Sequence, residues 1–243
     1  MDWIDEGIVL GARRHGESGM VVSLLTQAHG RHAGLVRGGA GRRGRALYEP
    51  GNRLRAVWKA RLSEHLGSYA CELIAADAAT LLDDAGRLAA LSSACALVEA
   101  ALPEREPHPS VFASLGALIR SLSLPNYGTF YVRWELALLA ELGFALDLES
   151  CAATGANDDL AYVSPKSGRA VSAAAAEPYR RRLLPLPRFL IAPTEPGALE
   201  LVQGLRLTGH FLDEHVFAHR AGGMPAARVR LAERLARNST ERP

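Results

Sequence analysis

The chain has 243 residues, 48% of them hydrophobic, so it is long enough to fold as one large domain or two smaller ones. No apolar run reaches the ~18–20 residues that cross a bilayer, the first residues lack the order of a secretory signal, and three cysteines provide no disulfide framework. These features predict a cytoplasmic protein and argue against a membrane or secreted one.

The first 76 residues predict a small β-barrel. Apolar runs of strand length occur five times and are separated by Gly, Ser, Pro and Asn, which favour turns. The predicted strands are residues 4–14, 19–27, 30–37, 51–60 and 67–74. Five short strands of this kind favour a closed or partly closed barrel, although the sequence leaves their pairing open.

From residue 77 the hydrophobic residues recur with the period of a helix. Predicted helices cover residues 81–102, 111–121, 129–144, 197–219 and 225–238, and residues 147–178 are polar and irregular. The predicted fold class is therefore α+β. A β-barrel domain occupies residues 1–76, and an all-helical domain over residues 77–243 carries one irregular insertion at about 147–178.

Positive charge is concentrated in the barrel. Residues 13–61 hold eleven Arg or Lys and two acids, a net charge of +9, whereas the whole chain carries only +2. Such clustering is typical of a surface that binds a phosphate backbone, although runs of charge are often only solvated faces. The predicted nucleic-acid-binding residues are Arg13, Arg14, Arg31, Arg37, Arg42, Arg43, Arg45, Arg53, Arg55, Trp58, Lys59 and Arg61. The Trp58 ring would either stack on a base or pack in the barrel core.

Two patterns suggest other chemistry, but their context argues against it. Residues 39–44 match the Gly-x-Gly-x-x-Gly fingerprint of dinucleotide sites, yet Pro50 and Gly51 follow too soon for the crossover helix that such a site requires. We expect a flexible cationic loop there. His215 and His219 have metal-binding spacing without an HExxH motif, so a solvated or core-edge pair is favoured. No nucleophile and base can be matched, so we predict a protein that is not an enzyme.

The chain also resembles a known family, in order along nearly its whole length. The segments that carry the resemblance are DEGIVLGARRHGESGMVVSLLT (5–26), TQAHGRHAGLVR (26–37), RWELALLAELGF (133–144) and YVSPKSGRAVS (162–172). They resemble the RecO family of bacterial recombination mediators. The resemblance implies an OB-fold barrel, binding of single- and double-stranded DNA without sequence specificity, and annealing of complementary strands. It also implies cooperation with RecR in loading RecA onto DNA coated by the single-strand binding protein SSB, in a cytoplasmic, nucleoid-associated setting.

The resemblance further implies that the helical domain binds the acidic, apolar C-terminal tail of SSB. Arg133 could pair with a carboxylate of that tail, and Trp134 could supply apolar surface. Alternatively, Trp134 packs in the helical core. The main competing function is an OB-fold RNA-binding factor acting on ribosomal or transfer RNA, because the same basic groove would serve RNA. A small-molecule enzyme would require a cluster of titratable groups, and the sequence offers none.

Many members of the family hold zinc with four cysteines in the insertion. In this chain Cys151 keeps the first of the four positions, while Thr154, Ser172 and Ala175 fall at the others. A structural zinc ion normally needs four ligands. We therefore predict no zinc and no other cofactor.

Overall fold

The computed structural model describes residues 1–240. The strands are β1 (Asp2–His15), β2 (Gly19–Thr26), β3 (Gly30–Val36), β4 (Arg53–Lys59), β5 (Ser68–Ala75), β6 (Leu160–Val163), β7 (Ala170–Ser172) and β8 (Leu184–Pro185). The α-helices are α1 (Arg42–Leu47), α2 (Ala85–Ala101), α3 (Pro109–Ser121), α4 (Tyr127–Glu141), α5 (Ala173–Ala176), α6 (Ala198–Phe211) and α7 (Ala226–Thr240). Within residues 1–240, no helix is long and apolar enough to cross a membrane.

The first five strands close into a barrel with the order β1-β2-β3-β5-β4. The β3–β5 contact is parallel and is limited to the pair Leu35 and Ser68, whereas the other neighbours are antiparallel. A five-stranded barrel of this order is an OB-fold, so the predicted fold class is confirmed. Each strand lies within about two residues of its predicted position, because alternating apolar residues and turn glycines mark strands well.

The barrel interior is filled by alternate residues of its strands. Val22, Leu24, Leu54 and Ala56 are fully buried there, as the two-residue period of a strand requires. Gly34 on β3 faces the Tyr69 ring so closely that an added Cβ would lie 2.5 Å from a ring carbon. The Tyr69 hydroxyl in turn donates a hydrogen bond to the carbonyl oxygen of His32. Glycine at this position therefore lets the aromatic ring close the core.

The outer faces of β1 and β2 are also buried, because α2 packs against them. The Cys95 thiol on α2 lies 3.7 Å from the carbonyl oxygen of Val9, and Gly116 on α3 approaches the side chain of Ile8. One compact unit therefore comprises residues 1–123 together with 225–228, and the second comprises, among the described residues, 124–224 and 229–240. The boundary after residue 76 stays a prediction, and α2 and α3 fall in the same compact unit as the barrel because they pack against it.

The second unit is built on α4 and α6. Thr208 on α6 donates a 2.5 Å hydrogen bond to the fully buried carboxylate of Glu135 on α4. A π-helical segment, Leu212–Phe217, continues α6, and the two together cover residues 198–217 of the helix predicted at 197–219. The predicted irregular insertion is more ordered than expected, since β7, β6 and β8 form a small three-stranded sheet in that order. Strands of two to four residues are too short to leave a periodic signal in the sequence.

Candidate nucleic-acid interface

Six of the predicted arginines come together at one end of the barrel. Strand register places Arg14 opposite Met20, which in turn lies opposite Val36 at the end of β3. The amide of Ala40, two residues before α1, donates a 3.0 Å hydrogen bond to the carbonyl oxygen of Ser18 in the β1–β2 turn. We call this surface the cationic end and define it by Arg13, Arg14, Arg37, Arg42, Arg43 and Arg45. All six side chains are exposed, and none forms an ion pair within the described part of the chain.

Three of these arginines are carried by α1, so the prediction of a flexible loop here is wrong. Gly44 packs against the preceding turn so tightly that an added Cβ would lie 2.2 Å from the carbonyl oxygen of Gly39. At the other end of α1, the side-chain amide of Asn52 donates hydrogen bonds to the carbonyls of Ala46 (3.0 Å) and Leu47 (3.2 Å). These partners satisfy helix-end carbonyls that would otherwise require water. The rejection of a dinucleotide site is unaffected, because α1 has only six residues.

Two predicted contact residues are instead engaged in internal pairs. Arg31 donates to the carbonyl oxygen of Leu102 at 2.9 Å and pairs with Glu104 at 3.2 Å. Arg53 pairs with Glu6 and Asp77 at 3.2 and 3.0 Å. Both guanidiniums are partly buried and already have anionic partners, so their main role in this structure is to hold the barrel to the segments beside it.

The other three predicted cations lie on or after β4. Strand register places Glu6 and Glu72 opposite Arg55 on its two sides. Lys59 lies opposite Asp2, and the exposed Arg61 follows in the β4–β5 loop. The face around β4 therefore carries both signs of charge. Because nearby acids offset positive potential, and the cationic end has six arginines beside two acids, Glu17 and Glu49, we expect the cationic end to be the stronger attractor for phosphate.

Trp58 lies in the barrel core, 2% exposed, rather than on the surface. Its ring is stacked on Trp3 with centroids 5.6 Å apart and meets His32 edge-on at 4.8 Å. Of the two roles predicted for Trp58, core packing is the one observed, and base stacking is not available to a buried ring. Burial of His32 beside it lowers the pKa of that imidazole, because desolvation disfavours the charged form.

The β4–β5 loop is fixed by a residue that the sequence did not single out. Arg105 adopts a φ of 64°, in the left-handed region that non-glycine residues seldom enter. Its backbone N–H donates to the carbonyl oxygen of Arg31 at 2.8 Å. Its guanidinium donates to the carbonyls of Glu64 and His65, at 3.1 and 2.9 Å. Loops at this position contact nucleic acid in many OB-folds, so Arg105 positions a part of the candidate interface.

The two residues proposed for the SSB tail do not form a joint surface site. Trp134 is 5% exposed, lies 5.9 Å from the Tyr131 ring, and is part of the helical core. Arg133 is exposed, but its guanidinium donates to the carbonyl oxygen of Phe189 at 2.6 Å. Successive helix residues point about 100° apart, which explains why one faces the core and the other solvent.

The Cys151 side chain is held in the insertion by contacts with Ser172. Its sulfur lies 3.5 Å from the Ser172 hydroxyl oxygen and accepts a 3.3 Å hydrogen bond from the Ser172 amide. Within residues 1–240, no group of three or more His, Cys, Asp or Glu is arranged to hold a metal ion. His215 stacks on the Phe144 ring at 5.1 Å, and His219 is exposed. The absence of zinc remains a prediction.

Comparison with known proteins identifies the family. The model described as Recombination protein O N terminal matches residues 1–76, and the model described as Recombination protein O C terminal matches residues 82–222. A protein of Rhodospirillum centenum named DNA repair protein RecO is 59% identical over 242 residues, 99% of this chain and 97% of the relative. Relatives of the same name are 53% identical in Rhodospirillum rubrum, over 98% of this chain and 97% of the relative, and in Methylobacterium nodulans, over 94% and 95%. The chain belongs to the RecO family of DNA repair proteins.

Proposed function

We propose that this protein is a recombination mediator that binds single- and double-stranded DNA at the cationic end and anneals complementary strands. With RecR, it would help to load RecA onto SSB-coated single strands. Membership of a DNA repair family supports a role for this protein in DNA repair. The observation that carries the proposal is the group of six exposed arginines, free of ion pairs within residues 1–240, at one end of an OB-fold.

The cationic end supports annealing by charge neutralisation. Two single strands repel each other through their phosphates, and cations that neutralise those phosphates release condensed counterions. Arginine suits this role because its planar guanidinium can donate two hydrogen bonds to one phosphate. Phosphate contacts carry no base information, so binding would be independent of sequence.

The proposed partners, cellular location and lack of cofactor are supported only by the resemblance to the RecO family. The helical unit would bind the SSB tail, but the buried Trp134 ring does not support its assignment as the apolar contact. The protein would work in the cytoplasm, without enzymatic activity and without zinc. RecR and RecA would be its protein partners, RecA indirectly.

The proposal is tested by the annealing of two complementary oligonucleotides, one of them coated with the cognate SSB, across a salt series. We expect annealing to be accelerated at low salt and to slow as salt rises, because phosphate contacts weaken with salt. SSB without its C-terminal tail is the matched control and should remove most of the acceleration. No acceleration at low salt would refute the mediator function. Stronger competition by structured RNA than by duplex DNA would favour the RNA-binding alternative.

A further inference from the structure

The second unit carries the most exposed aromatic ring in the part of the chain that the structure describes. Tyr179 is 60% exposed, whereas Phe144, the next Phe, Tyr or Trp, is 37% exposed. Exposed aromatic rings beside cations are the usual platform on which single-stranded nucleic acid stacks its bases. In the barrel, by contrast, Trp58 is buried and offers no such platform.

Three consecutive arginines follow this ring. Arg180, Arg181 and Arg182 are all exposed, and none has an ion pair within residues 1–240. Residues 161–192 hold six Arg or Lys and one acid, Glu177. Arg169 pairs with Asp147 at 3.1 Å, whereas Arg180, Arg181 and Arg182 have no carboxylate partner among the described residues, so these three arginines give the surface a local excess of positive charge.

The segment is ordered and has its own scaffold. Residues Glu177–Arg182 form a 3₁₀-helix that leads into β8 of the small sheet. The guanidinium carbon of Arg180 lies 5.9 Å from the centre of the Tyr162 ring on β6, a distance suited to a cation–π contact. A surface concavity of about 570 Å³ is lined by residues 177–182. A ligand would therefore meet a folded backbone segment in which Arg180 is held against the Tyr162 ring.

We propose that Tyr179, Arg180, Arg181 and Arg182 form a second binding surface, for single-stranded nucleic acid. One base stacks on the Tyr179 ring, and the arginines contact the phosphates on either side of it. This site goes beyond the barrel interface, since it lies in the other compact unit and uses stacking, which the barrel's buried Trp58 cannot provide. If the proposed annealing function holds, the protein has two separate surfaces for nucleic-acid strands.

Photocrosslinking of the full-length protein to a thymidine oligonucleotide that carries 5-iododeoxyuridine tests the stacking contact directly. We expect a crosslink at Tyr179, which Tyr179→Phe retains because the ring remains. Tyr179→Ala should abolish it and weaken binding roughly tenfold, the effect expected for one base stacked on an aromatic ring. If the protein binds the oligonucleotide but no crosslink is found at Tyr179, the proposal is overturned.

Charge reversal tests the phosphate contacts. In R180E/R181E/R182E, the slope of log affinity against log salt should fall by about 2, since each phosphate contact to a single strand contributes about 0.7. The matched control is R120E/R206E/R230E, which reverses three exposed arginines elsewhere and should keep the wild-type slope. Equal slopes for R180E/R181E/R182E and this control would contradict the proposal.

Three further outcomes distinguish this second site from a membrane contact and from the cationic end. If vesicles rich in phosphatidylglycerol displace the oligonucleotide from Tyr179 at equal phosphate concentration, and Tyr179→Ala binds DNA normally, the surface is a membrane contact and the proposal fails. If R42E/R43E/R45E loses DNA binding while the variants at residues 179–182 keep wild-type affinity, only this second site fails. If the wild-type protein binds no oligonucleotide at low salt, the proposed function and the second site both fail.

Discussion

The indole N–H of Trp58 donates a hydrogen bond of 3.0 Å to the carbonyl oxygen of Leu66. The donor belongs to the barrel core, and the acceptor belongs to the exposed loop between β4 and β5. Gly67, the next residue, accepts a hydrogen bond from the backbone amide of Leu35 on β3. Trp58 therefore connects the barrel interior to a loop of the candidate interface without touching solvent itself.

Substitution of Trp58 should reduce stability more than DNA binding. Trp58→Ala removes a buried aromatic ring and should lower the free energy of unfolding by about 3–5 kcal/mol. Trp58→Phe keeps part of the ring but loses the indole donor, so a smaller loss is expected. Urea unfolding measures both effects. If folded Trp58→Phe were as stable as wild type but bound DNA tenfold more weakly, the ring would have to be a DNA contact after all.

Arg105 should stabilise the β4–β5 loop at the cost of backbone strain. Arg105→Ala keeps the left-handed backbone but loses the guanidinium, and it should lower the free energy of unfolding by about 1–3 kcal/mol. Arg105→Gly loses the same hydrogen bonds but relieves about 1 kcal/mol of strain, so it should be the less destabilised variant. Amide hydrogen exchange in residues 62–67 should be faster in both variants. Unchanged exchange would show that other contacts hold the loop.

His32 should make stability depend on pH. Burial lowers the pKa of His32 below its ordinary value of 6.5, so the unfolded chain binds a proton at this site more readily than the folded protein. The resulting stabilisation is complete above pH 6.5 and is lost as the pH falls below that value. The fall in unfolding free energy between pH 7.5 and 5.5 should therefore be smaller in His32→Gln than in wild type. His219→Gln, at an exposed site, is the control and should match wild type. Identical pH profiles for all three proteins would contradict this role of burial.

The insertion should fold without metal. The purified protein should contain far less than one zinc ion per chain, because Cys151 has hydroxyl and backbone partners in place of three further thiolates. Its melting temperature should not change when a zinc chelator is added. One equivalent of zinc by elemental analysis, together with a lower melting temperature in chelator, would refute the prediction.

The barrel could be predicted from the sequence because its signals are local. Alternating apolar residues and turn glycines mark each strand. By contrast, α1 is held by Asn52, which follows it along the chain, and Gly44 packs on the preceding turn. A helix of six residues that depends on such tertiary partners gives no periodic signal of its own.

The candidate site was only partly predictable for the same reason. The clustering of arginines along residues 13–61 predicted a nucleic-acid-binding surface, and the structure brings six of these arginines together at one end of the barrel. Arg31 pairs with Glu104, and Arg53 pairs with Asp77. Both acids lie outside residues 13–61, so the pairs could not be read from that segment. The orientation of Trp58 depends on strand parity, which was ambiguous because Val57 beside it is also apolar. The exposure of Tyr179 could not be predicted, because the exposure of a single aromatic residue cannot be read from its neighbours.

The most direct test of the central claim is the salt dependence of DNA binding in R42E/R43E/R45E. These residues lie on α1, which has no buried residue, so their reversal should leave the fold intact by circular dichroism. With a single-stranded oligonucleotide, the slope of log affinity against log salt should fall by about 2 relative to wild type, as for the loss of three phosphate contacts. The control R120E/R206E/R230E changes the net charge equally and should keep the wild-type slope. A wild-type slope in R42E/R43E/R45E would contradict the claim that the cationic end binds DNA.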